Sequence, residues 1–217
     1  MPELRLYDYA ASANCLKARL LLAQLERPYE RVPVDIFAGD TLTDEYAAIN
    51  PARSTPVLQI GDSTYLSESN AILVYLAGGT PLLPDDPLRR AEVVRWLILE
   101  QTEVMPSLGG LRFRLVTGRL AAEDRDAMRR RKLGEATLTA LDLHLRTRDF
   151  LVDAYSIADI AVYAYTHVAP EAGYELAAYP AVERWLARVE AQPRFVNDLV
   201  SYPENARLGA SRSIYDA

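Results

Sequence analysis

Residues 55–77 read TPVLQIGDSTYLSESNAILVYLA, and this stretch contains two short strands and a helix in immediate succession. The run that begins at Pro56 predicts a strand, residues 61–63 predict a turn, and residues 64–67 predict a returning strand. A short turn between two such runs indicates an antiparallel hairpin. Apolar residues then recur at helical spacing from residue 68 to 77, with serines where helix N-caps are favoured. The predicted order is strand, strand, helix.

The first 35 residues predict a strand, a helix and a second strand. Residues 4–7 form the first strand candidate, and a polar loop over 10–14 leads into a run of good helix formers over 15–25. The second strand candidate covers 29–35. A strand–helix–strand unit normally forms a parallel pair with a right-handed crossover. Together with residues 55–77, this gives the order βαβ followed by ββα.

Residues 78–87 read GGTPLLPDDP, with two glycines, three prolines and no period. This composition is typical of an interdomain linker. Beyond it the sequence contains several segments with helical spacing and no confident strand. We therefore predict an α/β domain over residues 1–77, a linker over 78–87 and an all-α helical domain over 88–217.

The composition narrows the class of protein. A net charge of −6 gives no electrostatic reason to expect a nucleic-acid partner. The single cysteine, Cys15, fits a reducing compartment, and no His or Cys pair has zinc-ligand spacing. The N-terminus lacks a signal-peptide pattern, and no segment approaches the roughly 20 apolar residues that span a bilayer. We expect a cytoplasmic protein without a metal or a membrane partner.

The loop before the first helix is the first candidate site. A loop that opens a helix presents unpaired backbone N–H groups and the positive end of the helix dipole, which lowers the pKa of a thiol placed there. Ser12 and Asn14 could each donate a hydrogen bond to such a thiolate. Both are also favoured N-cap residues, so the local sequence alone leaves capping open as the alternative.

Two further sites lie in residues 55–69. If the Thr55-Pro56 bond is cis, the backbone of Thr55 turns outward and could pair with an extended peptide, whereas a trans bond would make it an ordinary strand start. Glu68 and Ser69 begin the third helix, where a carboxylate could meet an ammonium and the hydroxyl could meet a carboxylate. Simple capping and dipole compensation are the alternative there.

In this order, the motifs resemble the cytosolic glutathione transferase superfamily, and its bacterial and theta-like serine branch most of all. The family's thioredoxin-like domain begins its first helix at a C-x-x-C position, its cis-proline opens a strand, and an acid-serine pair follows. The corresponding residues here are Ser12-Ala13-Asn14-Cys15, Pro56-Val57-Leu58 and Leu66-Ser67-Glu68-Ser69-Asn70-Ala71-Ile72.

The second half carries an independent part of the resemblance. Ser156-Ile157-Ala158-Asp159-Ile160 resembles the buried N-capping motif of the family's sixth helix, and its Ser and Asp have capping-box spacing. Pro180-Ala181-Val182-Glu183-Arg184-Trp185 resembles the helix that follows it. The resemblance therefore covers nearly the whole chain.

The resemblance implies glutathione as cosubstrate, with no metal. Glu68 and Ser69 would hold the γ-glutamyl group, and Thr55, ahead of a cis Pro56, would pair with the cysteinyl unit. Ser12 would stabilise the thiolate.

Two other implied roles complete the proposed glutathione site. Asn14 would assist Ser12 at the thiolate. Family members often hold the glycyl carboxylate with a base near the end of the second-helix region, where this sequence has none, so Arg53 is the nearest candidate.

The resemblance also implies a detoxifying transferase that conjugates glutathione to a small hydrophobic electrophile and forms a homodimer. Two alternatives stay open, because the superfamily contains both. One is a glutathione-dependent disulfide-bond reductase, and the other is a non-enzymatic, transferase-like interaction protein.

Overall fold

The structure, a computed structural model, describes residues 3–216. The contacts divide the chain into two compact units, of which one contains the described residues up to Leu76 together with those from Val196 onward, and the other runs from Ala77 to Phe195. The sequence prediction placed the segment after Val196 with the helical domain, whereas in the structure this segment packs with the first unit. The boundaries predicted at residues 77, 78, 87 and 88 stay a prediction, and the predicted ends at 1 and 217 lie outside the described residues.

The first unit contains a four-stranded sheet in the order β2-β1-β3-β4. β1 pairs in parallel with β2, whereas β1 with β3 and β3 with β4 pair antiparallel. The βαβ-ββα order of a thioredoxin-like domain is thus confirmed. The strands are β1 Leu4–Asp8, β2 Glu30–Pro33, β3 Val57–Ile60 and β4 Thr64–Ser67, and the helices are α1 Ala13–Gln24, α2 Asp44–Ile49 and α3 Ser69–Ala77.

Helix α1 forms the centre of this unit. From Cys15 to Leu22 every one of its residues is buried, including the charged Lys17 and Arg19. A helix that is buried all round packs on more than one face, and therefore carries no single apolar stripe. Its two inward-facing cations each need polar partners, because burying an unpaired charge is costly.

A cluster of four charges attaches the C-terminal segment to the first unit. The Arg19 guanidinium donates to Asp8 Oδ1 at 2.5 Å and to Asp198 Oδ1 at 2.6 Å. Arg31 donates to the same two carboxylates. Asp198 lies 179 positions from Arg19 in the chain, which explains why sequence reasoning did not place the segment here.

Aromatic packing reinforces this attachment. The Tyr202 ring lies 6.5 Å from that of Tyr9 and 6.3 Å from that of Phe37, measured between centroids. Further along, the Arg212 N–H donates to the Phe37 carbonyl at 2.8 Å.

The regular elements of the second unit, among its described residues, are all helices. No helix of residues 3–216 is long and apolar enough to cross a membrane. A π-helical segment, Glu100–Gly109, connects two α-helices directly, so the chain stays helical across all three. This segment contains Pro106. Proline has no N–H to donate, and a π-bulge accommodates the missing bond. The helices are α4 Pro87–Leu99, α5 Gly110–Val116, α6 Arg125–Leu145, α7 Ile157–Thr166 and α8 Pro180–Glu190.

The predicted capping box at the start of α7 is present. The Ser156 hydroxyl accepts from the N–H of Ala158 at 3.2 Å, and the Asp159 carboxylate accepts from the Ser156 N–H at 3.0 Å. Asp159 Oδ1 also accepts from the Leu151 N–H at 3.0 Å and from the Trp185 indole N–H at 2.9 Å. Burial raises the Asp159 pKa to about 6, and these donors oppose a further rise.

Replacing Asp159 with Ala should destabilise the protein by about 2–4 kcal/mol, because three buried N–H groups would lose their acceptor. Urea unfolding followed by circular dichroism measures the change. Asp85→Ala, which removes an exposed carboxylate from the same unit, serves as the control and should shift stability by less than about 0.5 kcal/mol. Equal effects in the two variants would contradict this role of Asp159.

Candidate active site

Ser12 is the N-cap of α1. Its backbone is extended, and its hydroxyl oxygen accepts a hydrogen bond from the Cys15 N–H at 3.3 Å. Ser12 therefore does cap the helix, but this hydrogen bond uses only one lone pair of its hydroxyl oxygen. Because the hydroxyl is half-buried and keeps its hydrogen for donation, the two interpretations of Ser12 are compatible.

A chain of polar side chains connects the start of α1 with the start of α3. The Ser69 hydroxyl donates to Asn14 Oδ1 at 3.2 Å. The Lys17 ammonium donates to Ser69 Oγ and to Asn70 Oδ1, each at 3.3 Å. Two of the predicted site residues, Asn14 and Ser69, are thus in direct contact although they are 55 positions apart.

Lys17 was missed by sequence reasoning. A lysine three positions after Asn14, on the same helical face and in a run that is apolar apart from Lys17 and Arg19, was the available signal. Its side chain is completely inaccessible to solvent. A lysine is rarely buried without polar partners, and the partners of Lys17 include two residues at the start of α3.

Glu68 occupies a strained position at the start of α3. Its φ is +69°, in the left-handed region that costs a residue other than glycine about 1–2 kcal/mol. Its carbonyl accepts from the Ile72 N–H at 2.9 Å, which begins the helix. The carboxylate is exposed and makes no hydrogen bond or ion pair within residues 3–216, so it is available to a cation.

The bond between Thr55 and Pro56 is cis, as expected from the resemblance. Pro56 immediately precedes β3 and is buried. Within the described residues, neither the N–H nor the carbonyl of Thr55 is bonded to another backbone group. An extended ligand strand could therefore pair with both.

Cys15 lies beneath the loop and is inaccessible to solvent. Its sulfur accepts from the Tyr9 N–H at 3.4 Å. Burial, with the negative charge of Asp8 adding to it, raises the Cys15 pKa to about 12. The thiol is therefore neutral at physiological pH and is a poor nucleophile.

Arg53 holds the loop ahead of α2. Its Nη1 donates to the carbonyls of Thr41 and Thr43 at 2.8 and 2.9 Å, and its Nη2 lies 3.8 Å from a carboxylate oxygen of Asp44. A guanidinium has five donors, so these bonds do not exhaust it. The predicted contact of Arg53 with a glycyl carboxylate stays a prediction.

No group of His, Cys, Asp or Glu in residues 3–216 is arranged to hold a metal ion. The chemistry of the site comes from two adjacent helix N-termini, a half-buried hydroxyl, a buried ammonium and an exposed carboxylate. Such a site suits a ligand that carries both an ammonium and a carboxylate.

Two family profiles match the chain. The profile described as "Glutathione S-transferase, N-terminal domain" matches residues 11–78, and "Glutathione S-transferase, C-terminal domain" matches residues 105–193.

Two curated relatives align with this chain over most of their length. Glutathione S-transferase 3 of Zea mays is 30% identical over 94% of this chain and 96% of its own. The disulfide-bond oxidoreductase YfcG of Escherichia coli is 29% identical over 94% and 97%, respectively.

Solved structures show the same architecture. A glutathione S-transferase from Pseudomonas fluorescens superposes with a TM-score of 0.87 at 41% identity, covering 91% of this chain and 99% of that one. A second family member from the same species, with two glutathione molecules bound, has a TM-score of 0.81 at 27% identity and covers 91% and 92%.

We expect Cys15 to resist alkylation in the native protein. With a pKa of about 12, only about one thiol in ten thousand is ionised at pH 8, and access is blocked as well. Treatment with iodoacetamide followed by mass spectrometry tests this, with urea-denatured protein as the fully reactive control. Rapid labelling of the folded chain would show that the thiol is reachable and would contradict the assignment.

Proposed function

Because this chain belongs to the glutathione S-transferase family, we propose that it conjugates the glutathione thiolate to a hydrophobic electrophile. The observation that carries the proposal is the polar chain from Asn14 through Ser69 to Lys17, which joins two helix N-termini in one site. The bound glutathione in a structural relative supports the same ligand here. A cytoplasmic location fits the single, reduced cysteine.

In this proposal glutathione lies extended along the first unit. Its ammonium meets the Glu68 carboxylate, and its α-carboxylate meets Ser69 and the free N–H groups of α3. Its cysteinyl backbone pairs with Thr55.

At the other end, the thiol lies at the N-terminus of α1, where the Ser12 hydroxyl donates to it. The positive helix end and this hydrogen bond both favour the thiolate. The thiol proton passes to solvent, the sulfur forms a bond to the electrophilic carbon, and the leaving group departs with the bonding electron pair. The protein contributes the pKa shift and the positioning.

Replacing Ser12 with Ala should lower kcat/KM for a model aryl halide about 10- to 100-fold, the value of one hydrogen bond to a charged group. The loss should be larger at pH 6.5 than at pH 9, because the variant thiol has the higher pKa. Glutathione affinity, measured by calorimetry, should change by less than about threefold.

Ser63→Ala, in the exposed turn between β3 and β4, is the matched control and should leave the rate unchanged. Full activity of the Ser12 variant would transfer the role to Asn14.

A disulfide-bond reductase is the second candidate, favoured by the likeness to YfcG and by the relative with two bound glutathione molecules. One glutathione thiolate would attack the substrate disulfide, and a second would resolve the mixed disulfide, releasing oxidised glutathione. This route needs no protein thiol, which agrees with the buried Cys15.

Assays with a model disulfide and a model aryl halide in parallel distinguish these two reactions. A folded protein that binds no immobilised glutathione would instead favour the non-enzymatic, transferase-like interaction protein.

We also propose that the chain is a homodimer that buries an apolar surface on α4 and α6. Ile98 on α4 is 59% exposed and Leu133 on α6 is 48% exposed. Between these helices lies a cavity of about 270 Å³, lined by Trp96, Leu99 and other mainly apolar side chains. Exposed apolar patches of this kind mark protein–protein contacts, and a two-fold dimer is the commonest homo-oligomer.

Replacing Ile98 with Glu should convert the dimer to a monomer, because it places a charge in the apolar contact. Light scattering after size-exclusion chromatography measures the mass. Leu208→Glu changes an equally exposed leucine outside this surface and should leave the dimer intact. A wild-type protein that is already monomeric would exclude the interface.

A further inference from the structure

Two arginines of the second unit lie side by side at the start of helix α5. Arg114 Nη1 and Arg130 Nη1 lie 3.5 and 3.9 Å from the same point, which is the position that a β-carbon would occupy at Gly110. The first side chain comes from α5 and the second from α6, and both are half-buried. Two guanidinium groups this close repel each other, and the repulsion is screened less at a half-buried position than in open solvent.

A Schellman motif at the end of α5 brings a third guanidinium near these two. The Gly118 N–H donates to the Leu115 carbonyl at 3.2 Å, and the Arg119 N–H donates to the Arg114 carbonyl at 2.8 Å. The φ of Gly118 is +73°, which glycine adopts without strain. The chain therefore turns back at the end of the helix, and the Arg119 guanidinium packs over the Phe113 ring, 4.9 Å from its centroid.

The carboxylate nearest to this pair is already shared between two arginines. Asp126 accepts from Arg130 Nε at 2.7 Å through one oxygen and from Arg129 at 3.1 Å through the other. Within residues 3–216, Arg114 forms no ion pair, and its side chain donates from Nη1 to the Gly110 carbonyl at 3.2 Å, one turn back in its own helix. The charge of Arg114 is thus not neutralised, and its Nε and Nη2 groups keep their hydrogens for a ligand.

The neighbouring arginine of α5 has a different environment. Arg112 is buried, and its Nε donates to the Glu171 carboxylate at 2.9 Å, as the burial of a charge requires. Burial, followed by the positive charge of Arg130, lowers the Arg114 pKa, although a guanidinium stays charged at neutral pH. Local rules of stability that a chain breaks are expected at functional positions. An anion bound at Arg114 would remove the conflict.

We propose that Arg114 and Arg130 form an oxyanion-binding site of the second unit. The ligand group is a carboxylate, phosphate or sulfate, because the forked donors of a guanidinium match the spacing of two such oxygens. Two sources have this chemistry, namely a free inorganic anion and an acidic group on the electrophile. The site itself is independent of the proposed conjugation, whereas the second source rests on it.

The first arm of the test is the binding of inorganic phosphate to the full chain, measured by calorimetry in a buffer without other oxyanions. The wild type should bind phosphate with a Kd of about 1 mM, and more weakly as sodium chloride is added. Arg114→Met should weaken binding about 10- to 100-fold, the range for a hydrogen bond to a charged group. Without phosphate, its melting temperature should be unchanged or higher, because the substitution removes repulsion and no ion pair.

The control is Arg125→Met, since Arg125 is the exposed first residue of α6 and its loss removes one positive charge from the same helix. It should change the affinity for phosphate by less than about twofold. Arg114→Gln provides a second variant if the methionine variant does not fold, and it should weaken binding as well.

The second arm distinguishes the two sources with a pair of aryl halides, 4-chloro-3,5-dinitrobenzoate and the neutral 4-chloro-3,5-dinitrobenzamide. If the anion belongs to the electrophile, Arg114→Met should lower kcat/KM at least about tenfold for the benzoate and less than about twofold for the benzamide. If Arg114→Met loses phosphate binding but treats the two halides alike, the site takes a free inorganic anion.

Two results would overturn the inference. One is a phosphate affinity that stays unchanged in both Arg114 variants, because the anion then binds elsewhere. The other is a wild type that binds no phosphate, combined with equal effects of Arg114→Met on the two halides. A failure of the proposed conjugation differs from both, since the wild type would then convert neither halide while phosphate binding still depended on Arg114.

Discussion

The buried ion pair between Arg19 and Asp8 fixes helix α1 against strand β1, and the candidate site depends on the position of that helix. Both side chains are inaccessible to solvent, and Asp8 receives Arg31 as well. Asp198 from the C-terminal segment pairs with both Arg19 and Arg31, so the cluster holds two positive and two negative charges. These ion pairs therefore hold the segment that follows Val196 on the first unit.

Lys17 follows the same principle on the neighbouring face of α1. Arg19 pairs with the carboxylates of Asp8 and Asp198, and Lys17 donates to the oxygens of Ser69 and Asn70. These two hydrogen bonds connect α1 with the first turn of α3. One helix is thus tied to strand β1 through Arg19 and to the start of α3 through Lys17.

The fold was predictable from the sequence because its signals are local. Periodicity, the turn at residues 61–63 and the linker composition sufficed for βαβ-ββα followed by helices, and the spacing of Ser156 and Asp159 predicted the capping box. The segment after Val196 was not predictable, because it has no period and its partner Arg19 is remote in sequence. Lys17 was overlooked because lysine is a good helix former, and a lysine within a helix is normally exposed to solvent.

The site residues show a second limit of prediction from sequence: the type of a residue does not determine its reactivity. Cys15 is the strongest nucleophile in the chain by type, yet burial beside Asp8 keeps it protonated. Ser12 is a weak nucleophile, but it is half-buried at a helix N-terminus with its hydroxyl hydrogen available. In the proposed reaction the reacting sulfur comes from the ligand, because the protein's own thiol is buried and neutral. The protein contributes the N-terminus of α1 and the Ser12 hydroxyl, both of which favour the thiolate form of a thiol placed there.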